Sequence, residues 1–256
     1  MSIPVEDRLQ DRLCLALDTL DRDEIVGTVD ELKDLVGYFK IHTGFVMHGP
    51  DLVREILGRG VKVFLDLKLY DIPNTLAGYG EAVTRLGVHL VTVDPSGGVE
   101  MMRSVVAAAD RTAGESGARR PRFVGVTLLT SADQQMLNTE MNIAGSVEEE
   151  VRRRALLAAE AGLDGIVCAP GEIGSVRAEL PGDFFYVTPG ARAAGGSGHD
   201  HRRIGTPAEA IADGSSLIVV GRRIRDAADR RKAAQEVLDE IAGAWPAAPG
   251  RVTPGR

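Results

Sequence analysis

The chain has 256 residues, 44% of them hydrophobic and 26% charged, with a formal net charge of −7. That balance fits a folded protein long enough for one (β/α)8 barrel and argues against a general nucleic-acid binder. No apolar run reaches the ~20 residues of a membrane span, and the polar stretch from Met1 to Gln10 lacks the apolar core of a signal peptide.

Leu13-Cys14-Leu15-Ala16-Leu17-Asp18 is a continuous apolar run that ends in an acid. Runs of this kind suit strands buried on both faces, as in parallel sheets. Asp21 to Val36 repeats apolar residues every three or four positions and predicts a helix. Tyr38 to Ile41 is a second strand and carries Lys40. Leu52 to Leu57 is helical, Val61 to Lys68 is the third strand, and Asn74 to Leu86 is a helix stopped by Gly87. Val88 to Val93 is the fourth strand and again ends in an acid, Asp94. A helix from Ser96-Gly97-Gly98 to Ala109 precedes an Arg- and Gly-containing linker, Arg111 to Pro121. Phe123 to Leu129 is the fifth strand, and Ala132 to Ser146 a partly helical excursion. Val147 to Ala161 is a helix and Gly165 to Ala169 the sixth strand. A short helix, Gly171 to Leu180, leads to the seventh strand, Phe184 to Thr188. A glycine-rich loop, Pro189 to Arg203, and a short helix capped by Thr206-Pro207 precede the eighth strand, Ser216 to Val220. A last helix runs to Ile241, before a Pro- and Gly-rich tail after Trp245. Eight apolar strands alternating with helices predict an α/β fold, a single (β/α)8 barrel spanning residues 1–256. Cys14 and Cys168 fall in strands without metal-type spacing and read as buried reduced thiols.

In such a barrel the site lies at the C-terminal ends of the strands. Those ends supply Asp18, Lys40, Asp66, Lys68, Asp71 and Asp94 in the first half of the chain. The second half supplies Thr130, Ser131, Pro189, Arg192, Gly221 and Arg222. The third strand is the densest. Asp66 and Lys68, two apart on an extended chain, share a face, and Asp71 follows where Ile72-Pro73 stops the strand. A salt-bridged strand end is the plain reading of that alternation; an aimed, charged lysine is the functional one. Gly190, Arg192, Gly221 and Arg222 suit an anion site after the seventh and eighth strands, and Gly195 to His201 is long enough to fold over it.

Asp66-Leu67-Lys68-Leu69-Tyr70-Asp71-Ile72-Pro73-Asn74-Thr75 resembles the D-x-K-x-x-D-I-P-N-T motif of the orotidine 5′-phosphate decarboxylase family. Leu17-Asp18, Phe39-Lys40, Ser96-Gly97-Gly98, Leu128-Leu129-Thr130-Ser131, Val187-Thr188-Pro189-Gly190 and Val219-Val220-Gly221-Arg222 extend the likeness from about Leu15 to about Arg225. The resemblance implies decarboxylation of orotidine 5′-phosphate to UMP in the cytoplasm. It implies that Lys68 protonates C6 of the pyrimidine and that Asp66, Lys40 and Asp71 complete a charged array. Asp18 and Lys40 would bind ribose, Thr130 and Ser131 would face the base, and Arg192, Gly221 and Arg222 would grip the phosphate. Ile72, Pro189 and His201 join the substrate-binding set. Asp71 and Thr75 would reach a neighbouring subunit's site, which implies a homodimer. The family uses no metal and no organic cofactor, and the resemblance implies no nucleic-acid or membrane partner. Three positions depart from the family's bacterial pattern: His42 where glycine is usual, Asp94 where histidine is common, and His201 where a glutamine links base and phosphate. A His42–Asp94 pair is one way to accommodate the first two. The near alternative is a superfamily member that decarboxylates a keto-sugar phosphate with Mg2+ held by the strand-end acids. The distant one is an inactive nucleotide-binding barrel.

Overall fold

In the computed structural model, which describes residues 8–189 and 205–245, eight parallel strands close into one barrel in chain order. They are β1 (Leu13–Ala16), β2 (Tyr38–Ile41), β3 (Lys62–Leu69), β4 (Leu90–Val93), β5 (Arg122–Val126), β6 (Gly165–Val167), β7 (Phe185–Pro189) and β8 (Leu217–Val220). The expected (β/α)8 architecture is therefore present. Most strands are shorter at one or both ends than their apolar runs. Apolar residues beyond the ladder, such as Leu17, Leu128 and Ala169, are buried in the loops that follow it.

Period-two alternation divides each strand between two cores. Cys14, Tyr38, Phe64, Leu90, Val124, Phe185, Val187 and Leu217 fill the barrel interior. Their sequence neighbours Leu13, Leu15, Phe39, Val63, Leu65, Val91 and Phe123 pack outward against the helices. Both cysteines are buried free thiols, and burial raises the pKa of Cys14.

The N-terminal end of the barrel is plugged by long cations laid on rings. Lys62 reaches Asp11 at 3.3 Å and lies 5.0 Å from the centre of the Tyr38 ring. Arg122 covers Phe185 at 4.4 Å, and Arg12 covers Trp245 at 4.7 Å. Charge at this end is thus turned to packing, while the opposite end is left for chemistry.

The helices are α1 (Arg22–Leu32), α2 (Thr43–Leu57), α3 (Pro73–Leu86), α4 (Gly98–Ser116), α5 (Val147–Glu160), α6 (Ile173–Val176), α7 (Pro207–Asp213), α8 (Arg222–Arg225) and α9 (Arg230–Ala244). Their starts follow sequence chemistry. Asp21 accepts the N–H groups of Asp23 and Glu24, Pro73 sits at the first turn of α3, and Ser146 with Glu149 forms a capping box.

One stretch differs from expectation and three gain detail. α4 continues through Arg111 to Ser116, because the Gly and Arg residues that read as a linker lie on its outer face and end. α2 begins nine residues before Leu52 and is broken at Gly49 (φ 61°), ahead of Pro50. The 132–146 excursion holds one π-helical turn, Met136–Glu140. The last helix is divided into α8 and α9 by the turn at Asp226–Asp229. Among the described residues no helix is long and apolar enough to cross a membrane.

Candidate active site

Four charged side chains from three adjacent strands form a line across the C-terminal mouth of the barrel. Lys40 Nζ, from β2, lies 3.3 Å from Asp18 Oδ1 at the end of β1 and 3.2 Å from Asp66 Oδ2 on β3. Lys68 Nζ donates to the other oxygen, Asp66 Oδ1, at 2.9 Å. The order is acid, base, acid, base. Asp66 and Lys40 are buried, Lys68 is half-buried and Asp18 is open to solvent. Arg225 Nη1, from α8, donates to the Asp18 carbonyl at 3.1 Å and ties the ends of β8 and β1 together.

Burial alone would raise the Asp66 pKa. Lys40, Lys68 and the hydrogen bonds from Lys68 and Thr92 overcome it and hold the carboxyl down to about 2. Burial alone would lower the pKa of Lys40, but Asp66 and Asp18 keep it above its ordinary value. The two groups fix each other in their charged forms. His42, just before α2, is pushed the other way: burial and then the positive charge of Lys68 lower its pKa.

β3 does not follow its neighbour evenly. Leu65 pairs with Val91 and Leu69 with Val93, so four steps along β3 match two along β4. The extra length sits at Asp66 to Lys68. Lys68 has φ +49°, a left-handed conformation rare for a residue with a side chain. Its N–H donates to Thr92 Oγ1 at 2.8 Å, and the Thr92 hydroxyl donates to Asp66 Oδ1 at 2.8 Å.

The other sequence-predicted residues ring this line. Asp71 is exposed, and its carboxylate accepts the N–H of Ile72 at 2.7 Å. Within this chain Asp66 is paired by Lys40 and Lys68, and Asp71 lies beside exposed Ile72 on the loop before half-buried Thr75. Thr130 is buried and Ser131 exposed on the loop after β5. Pro189 ends β7 and pairs with Val219 of β8. Gly221 precedes α8, which begins at exposed Arg222. Gly190, Arg192, His199 and His201 lie outside the described residues. Asp94 accepts the Ser96 N–H and hydroxyl at 2.9 and 2.7 Å and lies 3.7 Å from Arg154 Nη1, so it is engaged by Ser96 and Arg154 rather than by His42. Among the described residues no cluster of three or more His, Cys, Asp or Glu side chains is arranged to hold a metal ion.

Residues 11–237 match the model of the "Orotidine 5'-phosphate decarboxylase / HUMPS family". The chain belongs to this family. It is 43% identical over 233 residues to the orotidine 5′-phosphate decarboxylase of Moorella thermoacetica, covering 91% of this chain and 92% of that one. It is 42% identical over 236 residues to the enzyme of that name from Heliobacterium modesticaldum, covering 91% and 96%. Among solved structures, the orotidine 5′-phosphate decarboxylase of Lactobacillus acidophilus superposes with a TM-score of 0.79 at 33% identity, covering 90% of this chain and 98% of that one.

In this member of the orotidine 5′-phosphate decarboxylase / HUMPS family, a cavity of about 390 Å3 opens from Lys68 toward the loop after β5. Asp94, Ser96 and Arg154 line its polar side; Val126, Leu128, Leu129, Met141 and Ile143 line its apolar side. Leu129 and Met141 are large apolar side chains left exposed there. Thr92 and Arg154 were not legible as site residues. A threonine inside a strand and an arginine on a helix have ordinary structural uses, and no motif spacing singles either out.

Proposed function

We propose that the chain decarboxylates orotidine 5′-phosphate to UMP, acting as a cytoplasmic homodimer. The observation that carries this reading is the unbroken line Asp18–Lys40–Asp66–Lys68, with Lys68 at its end lining the cavity. Loss of CO2 breaks the bond between C6 and the carboxyl carbon and leaves the electron pair on C6. A fixed ammonium beside that atom stabilises the developing charge and then donates its proton to it. Lys68 is the donor; CO2 leaves neutral, UMP carries the new C6–H, and the lysine regains its proton from water. Asp66 holds the ammonium in place and, so close to the substrate carboxylate, opposes that charge until it departs.

Asp18 and Lys40 take the ribose hydroxyls, and Thr130 and Ser131 take the base. Pro189, Arg192, His201, Gly221 and Arg222 make the phosphate end. Phosphate binding far from C6 supplies energy for assembling the charged site. Asp71 and Thr75 contribute across the dimer interface, and Ile72 joins the substrate-binding set. Exposed Tyr70 and Ile72, 63% and 66% accessible on either side of Asp71, support an interface at this loop. The Mg2+-dependent alternative is disfavoured by Lys40 and Lys68, whose two ammoniums already balance the Asp18 and Asp66 carboxylates.

The test is ultraviolet absorbance after adding orotidine 5′-phosphate to the purified protein in excess EDTA. Conversion to UMP at an undiminished rate is expected. A folded protein that binds UMP but turns nothing over would overturn the reading, and activity restored only by Mg2+ would move it to the other branch.

A further inference from the structure

The widened stretch of β3 creates two structural problems at the residue that does the chemistry. Between the Leu65–Val91 and Leu69–Val93 pairs the regular parallel ladder is interrupted. The Lys68 N–H is thereby taken off the regular ladder, and a donor at this depth needs an acceptor. Lys68 must also hold φ +49°, a conformation that persists only where its surroundings over-determine it. One hydroxyl meets both needs. Thr92 is 1% exposed, so no bulk water competes for it. Its oxygen accepts the Lys68 N–H at 2.8 Å, and its single proton goes to Asp66 Oδ1 at 2.8 Å, the oxygen that also receives Lys68 Nζ at 2.9 Å. Thr92, the Lys68 main chain, the Lys68 side chain and the Asp66 carboxylate thus close a ring.

We propose that Thr92 is a positioning residue that aims the Lys68 ammonium, through the left-handed Lys68 backbone and the Asp66 carboxylate it bonds. The inference rests on the decarboxylase reading for its kinetic consequence, though not for its geometry. Thr92 has one methyl and one hydroxyl on Cβ, and valine keeps its shape while removing both hydrogen bonds. Serine keeps both bonds and loses the methyl. The two variants therefore separate hydrogen bonding from packing.

In T92V, kcat is expected to fall by about 100-fold, the scale of a small misplacement of a reacting group. KM for orotidine 5′-phosphate and the affinity for UMP should change little, because Thr92 lies apart from the phosphate end. T92S should recover most of the loss. Wild-type kcat in a folded T92V protein, or equal losses in T92V and T92S, would overturn the proposal. A crystal structure of T92V gives a readout independent of turnover. Lys68 is expected to leave the left-handed region, and its Nζ to shift from Asp66; an unchanged Lys68 refutes the inference. Absent turnover in the wild type would instead refute the decarboxylase reading, and the T92V structure would still decide the role of Thr92.

Discussion

Lys40 touches two carboxylates at once, Asp18 at 3.3 Å and Asp66 at 3.2 Å, from a position where water reaches it poorly. Breaking the contact to Asp66 is costly, since it leaves two buried charges each with one partner fewer. The same contact has a pH signature. Asp66 is held at about 2, below its usual 3.8. Its contribution is present in full above the unfolded value and is lost as pH falls through the folded one. At 1.36 kcal/mol per unit, that amounts to about 2 kcal/mol of stability disappearing between roughly pH 4 and pH 2. D66N removes the titration. Urea unfolding across that window should show a shallower acid loss for D66N than for the wild type, although the variant starts from lower stability because Lys40 and Lys68 lose their partner. Parallel acid profiles for the two proteins would contradict the assignment.

The helices hold the site through contacts that leave little room. Gly80 of α3 faces α4. A Cβ there would run into the Val105 carbonyl oxygen and crowd the Ala108 methyl at 3.2 Å. Backbone cannot yield as a flexible side chain can, so G80A must push α3 away from α4. The expected cost is about 1–3 kcal/mol, the range for overpacking, read as a lower urea midpoint with an unchanged slope. Because α3 starts at Pro73, directly after Asp71 and Ile72, activity should fall as well. A midpoint equal to wild type would show that the helix pair can relax. At this scale the sequence was most informative where one physical cause dominates. Apolar runs located the strands because a parallel barrel buries both faces. Gly87 and Thr206-Pro207 marked helix ends because capping is local. Asp18, Lys40, Asp66 and Lys68 were legible because charges at the ends of apolar runs have few structural uses. The length of α4 was missed because its last turns are polar on the solvent side. The uneven pairing of β3 was missed because it depends on β4, a partner that spacing within β3 does not reveal. Thr92 was hidden for the same reason.

Across the whole molecule, packing and chemistry occupy opposite ends of one barrel. Asp11, Lys62, Tyr38, Arg122 and Phe185 close the bottom, while the top carries the charged line and the exposed Tyr70–Ile72 loop. If that loop meets a second copy, assembly and activity are coupled. I72D should give monomers by analytical ultracentrifugation, with loss of decarboxylation and an intact fold by circular dichroism. A fully active monomer would remove Asp71 and Thr75 from the shared site.

The charged line has one more consequence. Within one chain, the two carboxylates and two ammoniums of this line sum to zero before substrate arrives. The substrate carboxylate adds one negative charge, which passes to C6 as CO2 departs. In the proposed reaction Lys68 then gives its proton to C6, ammonium and carbanion neutralise each other, and the line of side chains is left with one excess negative charge. From bond breaking to product, the total inside the barrel mouth stays constant, and the negative charge only moves over a few ångströms. No step changes the net charge of that poorly hydrated place, where an uncompensated charge costs several kcal/mol. The exchange with water comes afterwards, when the lysine is recharged, so the solvent's reorganisation falls outside the step that breaks carbon from carbon.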